Sequence, residues 1–343
     1  MLREKRRFNI LCLSGGGFRG LYSASLLKHI QSGLGIQRIA DHFDLIIGTS
    51  TGALVGCAIA AGVPGREIEA AFLRGGRTIF PRRSLIEQWY WLLQMRPRYN
   101  SGALAGVIRE LVPNLADREI EDIDFKLAIV ALSAVSRRHR LFCRYPFADP
   151  SVTKTSVLDA LLATCAAPTY FRSHAHEVDI LIDGGLVANA PVLLGAMLLR
   201  ERMGAPLDKI HVLHIGTAGS STPASFEKPW TRHLPFVAWG GRARDTTAGL
   251  VDLTISAQES LAVDVASTFL GNRYVYMDVP STLSQNPELK RLDDASSAVA
   301  QKLRMLAERT WLHWMNDPGL HAFFPVKDPL LPQFRPDSKN SRV

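Results

Sequence analysis

The chain has 343 residues, 47% of them hydrophobic and 21% charged, which is enough apolar material for a large core and excludes a disordered chain. Forty Lys and Arg against 32 Asp and Glu leave a net charge of +8, which favours anionic partners such as a phospholipid surface or nucleic acid. The longest uncharged apolar run, Ala53 to Val63, is far short of the roughly 20 residues that a membrane-spanning helix needs, so any membrane role is expected to be peripheral.

The first seven residues are basic and run directly into an apolar strand pattern, so no signal peptide is expected. Cys12, Cys57, Cys143 and Cys165 stand in apolar surroundings without CxxC spacing or a neighbouring His ligand pattern. They read as buried thiols of a cytoplasmic protein, with no metal and no cofactor expected. With no linker, fixed-period repeat or low-complexity tract, the expectation is a single domain over residues 1–320 and a tail over 321–343.

In chain order, Phe8 to Leu13 reads as a central strand, followed by Ser14-Gly15-Gly16-Gly17-Phe18-Arg19-Gly20 and a helical pattern over Leu21 to Ile30. Consecutive glycines before a helix turn backbone N–H groups toward a ligand, where the helix dipole favours negative charge. The loop lacks the Lys-Ser/Thr ending of a nucleotide P-loop and a clear GxGxxG fingerprint. An oxyanion hole fits the spacing better, with a plain strand-to-helix turn as the bland alternative. Phe43 to Ile47 is a second buried strand, and Gly52 to Ala61 a tightly packed helix. Between them Gly48-Thr49-Ser50-Thr51-Gly52 is a GxSxG pattern, whose glycines let strand and helix approach and leave Ser50 exposed on a sharp turn, as a nucleophile elbow requires.

Gly65 to Leu73 reads as a helix begun after Pro64. From Arg77 to Tyr99, rings including Trp89 and Trp91 alternate with five arginines, a mixture that suits a membrane interface, although an ordinary helix packing its rings into the core accounts for it slightly better. Leu104 to Val112 is a helix; Phe125 to Val135 and Arg140 to Tyr145 are strands joined by a basic turn; Thr155 to Ala167 is helical with Ser156 as its cap. Ile180 to Asp183 is a short strand entering an Asp-Gly-Gly turn. Asp183 either accepts a proton from a nearby hydroxyl or caps its own turn. Strands follow over Ile210 to Gly216 and Tyr274 to Val279, with long helices over Thr246 to Leu270 and Leu289 to Met315. The Pro-rich stretch from Ser220 to Arg244 reads as a loop of lid length.

Ser14-Gly-Gly-Gly-Phe-Arg-Gly20, Gly48-Thr-Ser-Thr-Gly52 and Asp183-Gly-Gly185 stand in an order that resembles the patatin-like phospholipase family. The resemblance extends to Phe43-Asp44, Ala166-Ala167-Pro168, Asn189, Pro191 and Gly216-Thr217, and departs from the family where Ala53 replaces a second glycine. It implies an α/β fold with a mostly parallel central sheet flanked by helices and a nucleophile elbow. It implies a phospholipase A or lysophospholipase type of ester hydrolase with Ser50 as nucleophile and Asp183 as base, and Gly15, Gly16, Gly17 and Arg19 in the oxyanion loop. A Ser-His-Asp triad using His174, His176, His211 or His214 is the competing arrangement. A lipid- or nucleotide-binding module without activity is the competing function. The family includes effectors of anti-phage systems switched on by cyclic dinucleotides. The expected partners are therefore the inner face of the membrane and a cyclic dinucleotide activator, with no DNA binding.

Overall fold

A computed structural model of the chain describes residues 7–81, 97–123, 126–144, 154–176, 179–219, 246–279, 289 and 291–325, with the backbone alone over 246–252. The stretch around Trp89 and Trp91 and the loop from Ser220 to Arg244 lie outside the described residues. The first half runs β1 (Phe8–Leu13), α1 (Gly20–Gly33), β2 (Leu45–Thr49), α2 (Thr51–Ala60), α3 (Gly65–Ile79), α4 (Ser101–Leu111), β3 (Leu127–Ser133), β4 (His139–Cys143) and α5 (Val157–Thr164). The second runs β5 (His174–His176), β6 (Asp179–Asp183), α6 (Gly185–Ala188), α7 (Val192–Met203), β7 (Ile210–Ile215), α8 (Thr246–Leu270), β8 (Tyr274–Met277), α9 (Ser297–Trp314) and α10 (Pro318–His321).

The strands form one mixed sheet in the order β5-β6-β3-β2-β1-β7-β8, with β4 also paired to β3. The expected parallel arrangement holds for β1, β2, β3, β7 and β8. Pairing is antiparallel for β3 with β4, β3 with β6, and β5 with β6. The β3–β4 pair has no choice, because the short turn between the strands leaves no length for a parallel crossover. Side chains alternate between the faces: Leu11, Leu13, Ile46, Ile129 and Ile215 join the core that includes α1, α2 and α9, while Ile10, Cys12, Ile47, Val130 and Val212 join the core that includes α7 and α8. Burial on both faces is why these strands read as unbroken apolar runs in the sequence.

Two strand edges meet on β3. Because β4 pairs with residues 128–132 of β3, the opposite edge takes both β2, against residues 127–130, and β6, against 131–133. Thr49 pairs with Val130 and Asp183 with Ala131. The end of β2 and the end of β6 therefore abut, and the residue after Thr49 is Ser50.

Some boundaries differ from expectation. The last long helix starts at Ser297, where the Ser296 hydroxyl caps Val299 N–H, so 291–295 is a strap and not a helical turn. The packed chain also runs past residue 320: Phe323 and Phe324 are buried, Phe323 stacked on Phe43 at 6.0 Å and Phe324 edge-on to it at 5.8 Å. Helix α7 and strand β5 are not assigned by the sequence pattern at all.

The elbow needs its glycines for space. A Cβ on Gly52 would lie 2.3 Å from the Leu13 carbonyl oxygen, a backbone atom that cannot rotate away. Gly52→Ala is expected to lower the unfolding free energy by about 2 kcal/mol through this overpacking, measured by urea denaturation.

Candidate active site

Ser50 is held at φ 53° and ψ −128°, a conformation that non-glycine residues rarely adopt. The fold compensates around it. Ser50 N–H donates to Thr164 Oγ1 at 2.8 Å, Thr164 Oγ1 donates to the Val130 carbonyl, and Thr49 Oγ1 donates to the Ala188 carbonyl at 2.6 Å. These bonds fix the turn that lifts the serine hydroxyl off the end of β2.

Ser50 Oγ donates to Asp183 Oδ2 at 2.7 Å, and the other oxygen, Oδ1, accepts Gly185 N–H at 2.7 Å. Burial pushes the Asp183 carboxyl up from 3.8 to about 6, opposed by the hydrogen bonds from Gly185 and Ser50. Near neutral pH the group is thus ionised yet basic enough to take a proton. The Asp-Gly-Gly glycines serve this approach, since a Cβ on Gly184 would lie 2.2 Å from the Val130 carbonyl oxygen.

The glycine loop lies over this pair, but its members differ. Gly15 N–H turns away to the Asn189 carbonyl at 3.2 Å, so it does not face Ser50. Gly16 N–H meets Thr51 Oγ1 at 3.2 Å, beside Ser50, and Gly17 N–H has no acceptor among the described residues. Gly17 has φ +59°, and a Cβ there would lie 2.4 Å from the Leu292 carbonyl oxygen. Arg19 is 9% exposed, and its Nε is buried without a hydrogen-bond partner among the described residues. Ser50, Asp183, Gly15, Gly16, Gly17 and Arg19 all line one cleft, walled mostly by apolar groups that include Leu54, Phe72, Phe80 and Phe171.

A sequence profile described as patatin-like phospholipase matches residues 11–195, which spans every one of these residues. The chain belongs to the patatin-like phospholipase family. Three curated relatives, each described as a cGAMP-activated phospholipase, are similar to this chain. The one from Pseudomonas aeruginosa is 33% identical over 92% of this chain and 91% of its own. The one from Escherichia coli is 32% identical over 85% and 86%, and the one from Vibrio cholerae 32% identical over 64% and 68%.

In this patatin-like chain the four histidines weighed from sequence go elsewhere. His214 is fully buried, contacts Ser14 Oγ at 2.8 Å and Tyr274 OH at 2.7 Å, and is pushed down to about 3 by burial. His176 meets Thr155 Oγ1 at 2.7 Å, and His174 lies 3.5 Å from Asp159. Burial, with Arg7, Arg273 and Lys209 nearby, lowers His211 to about 4. Among the described residues, neither Ser50 nor Asp183 has a histidine partner. Sequence reasoning missed Thr51 and Thr164, whose hydroxyls follow from position in the fold, and Leu292, whose carbonyl accepts Phe18 N–H at 2.7 Å. No pattern in the sequence marks Leu292, because its hydrogen bond to the loop is made by its backbone carbonyl.

The raised carboxyl has a stability signature. Native Asp183 titrates above its unfolded value, so its contribution is fully present below about pH 4 and is lost as pH rises through about 6. Asp183→Asn removes the ionisation, and its stability relative to wild type is expected to improve by about 3 kcal/mol between about pH 4 and 8, read from denaturation midpoints across pH.

Proposed function

We propose that this protein is a serine acyl hydrolase that cleaves fatty acyl esters of membrane phospholipids with a Ser50–Asp183 dyad, as a cyclic-dinucleotide-gated antiviral effector at the inner face of the membrane. The observation that carries the chemistry is the 2.7 Å hydrogen bond from Ser50 Oγ to a buried carboxylate, beneath glycine-loop N–H groups in an apolar cleft.

In this reading Asp183 takes the hydroxyl proton as Ser50 Oγ attacks the ester carbonyl. The developing oxyanion meets the N–H groups of Gly16 and Gly17, each such donor being worth about 3 kcal/mol in the transition state. Asp183 returns its proton to the departing lysolipid alcohol, then activates the water that releases the fatty acid from Ser50. The apolar wall takes the acyl chain, and the Arg19 guanidinium supplies positive charge for an anionic substrate. No histidine is needed, because burial already brings the carboxyl close to the working pH. Gating by a cyclic dinucleotide is supported by the descriptions of the three relatives, two of which align over most of this chain.

The test is fatty-acid release from mixed anionic phospholipid vesicles, with and without cGAMP and other cyclic dinucleotides. Ser50→Ala and Asp183→Asn are each expected to lower kcat by about 10³-fold or more, while vesicle binding persists. Release that survives Ser50→Ala overturns the dyad. Binding without any release by the wild type indicates an idle lipid-binding module, and release unaffected by every nucleotide removes the gating. Because the base must be ionised, kcat/KM is expected to rise with pH through about 6 and then level off, as measured in a pH–rate profile.

A further inference from the structure

The Gly15 carbonyl is held by two donors, Asn189 Nδ2 at 3.2 Å and Thr217 Oγ1 at 3.3 Å. A trans peptide unit points its C=O and the following N–H in opposite directions, so these bonds also aim the Gly16 N–H beside Ser50. Asn189 has a second amide hydrogen, and it goes to Glu259 Oε2 at 2.8 Å. The other Glu259 oxygen, Oε1, accepts the Ser14 hydroxyl at 2.8 Å. A carboxylate on α8 thus grips the residue just before the glycine run and the side chain that holds the first glycine carbonyl.

The directions of these bonds are forced. Ser14 donates its one hydroxyl hydrogen to Glu259, so its oxygen accepts from His214 Nε2–H. Neutral His214 then accepts a hydrogen bond from the Tyr274 hydroxyl at Nδ1. The chain of donors runs one way, from Tyr274 to Glu259, and a second branch reaches the same carboxylate from Asn189. A carboxamide at position 259 has one acceptor for two donors, leaving an NH₂ facing either Ser14 or Asn189. If it faces Asn189, that amide turns over and sets its own oxygen against the Gly15 carbonyl, releasing the peptide that carries the Gly16 N–H. The same helix adds Gln258, whose Oε1 accepts Asn189 N–H at 2.8 Å, and Ile255, which lines the cleft.

We infer that Glu259 is a positioning residue for the oxyanion loop, fixing the direction of the Gly16 N–H from α8 through Asn189 and Ser14. Its effect on rate rests on the hydrolase reading above; its effect on the loop rests on geometry alone. Residue 259 lies outside the segment matched by the family profile.

The experiment compares wild type, Glu259→Gln, Glu259→Ala and Ser14→Ala by two readouts: amide hydrogen exchange of peptides covering residues 14–17, and kcat and KM on phospholipid vesicles. If Glu259→Ala does not fold cooperatively, the isosteric Gln variant carries the test. Exchange in the loop is expected to be at least about tenfold faster in the Glu259 variants, with other strands still protected. The kcat is expected to fall by about 100-fold with KM within about threefold, since the loop binds charge that develops only in the transition state. Ser14→Ala combined with Glu259→Ala is expected to be little worse than Glu259→Ala alone. Unchanged loop exchange in a folded Glu259→Ala protein, or in Glu259→Gln together with Ser14→Ala, overturns the inference, as does a loosened loop with unchanged kcat or a loss confined to KM. Faster loop exchange in a protein whose wild type releases no fatty acid upholds the positioning and overturns the hydrolase reading.

Discussion

The cleft depends on one constraint of the sheet: β2 and β6 share a single edge of β3 and meet end to end there. With Thr49 and Asp183 on consecutive β3 partners, strand pairing brings a serine placed just after Thr49 next to the aspartate, and the Thr49 and Thr164 hydroxyls hold the turn between them. The side chains then need no long reach, and the 2.7 Å bond between them is fixed by strands and not by loops. The antiparallel entry of β6 is essential to this arrangement. A parallel strand in that place would present its first residue, not its last, to the end of β2.

The constraint has an energetic consequence. A carboxyl buried at the junction of three strands loses its water, which raises its pKa and opposes its ionisation. Two hydrogen bonds offset part of that penalty, and the balance leaves a group suited to proton transfer near neutral pH. In a Ser-His-Asp arrangement the imidazole supplies that balance. Here burial does, and the histidines serve other ends, His214 as a neutral link inside the core.

The glycine loop shows how distant parts of the chain converge on a few peptide units. Asn189 and Thr217 crowd it from one side, so that a Cβ on Gly15 or Gly16 would lie 2.5 Å from their side-chain oxygens. From the other side the strap over 291–295 places the Leu292 carbonyl on Phe18 N–H. Asp293 anchors that strap, its carboxylate held by Tyr99 at 2.7 Å, Arg98 at 3.1 Å and Arg291 at 3.2 Å. Both α8 and the strap come from the last third of the chain. The motifs that mark the site lie in the first two thirds, and the elements that press on its donors lie beyond them.

The parts of the site that are local in sequence were legible without a structure. The glycine run, the GxSxG turn and the Asp-Gly-Gly turn each demand particular residues at fixed spacing, because a Cβ added at these glycines would meet neighbouring atoms at about 2 to 3 Å. The buried strands were legible because burial on both faces erases polar alternation, and α8 was found at both ends. Three things were not. The Gly15 N–H was expected to face the substrate, but orientation of a peptide unit depends on the acceptor that claims it, here Asn189. The start of α9 was read too early because an apolar residue such as Leu292 in a strap looks like a helix position until its partners are known. The buried Phe323 and Phe324 were read as tail because two adjacent aromatics just before Pro325 carry no periodicity. The sequence by itself thus determined which residues have the chemistry and where the chain must turn. Only the tertiary structure decided which of them meet, which loop N–H groups are claimed by a protein acceptor, and which distant carboxylate is bonded to the residues around the loop, since those are set by strand register and hydrogen-bond direction across elements far apart in the chain.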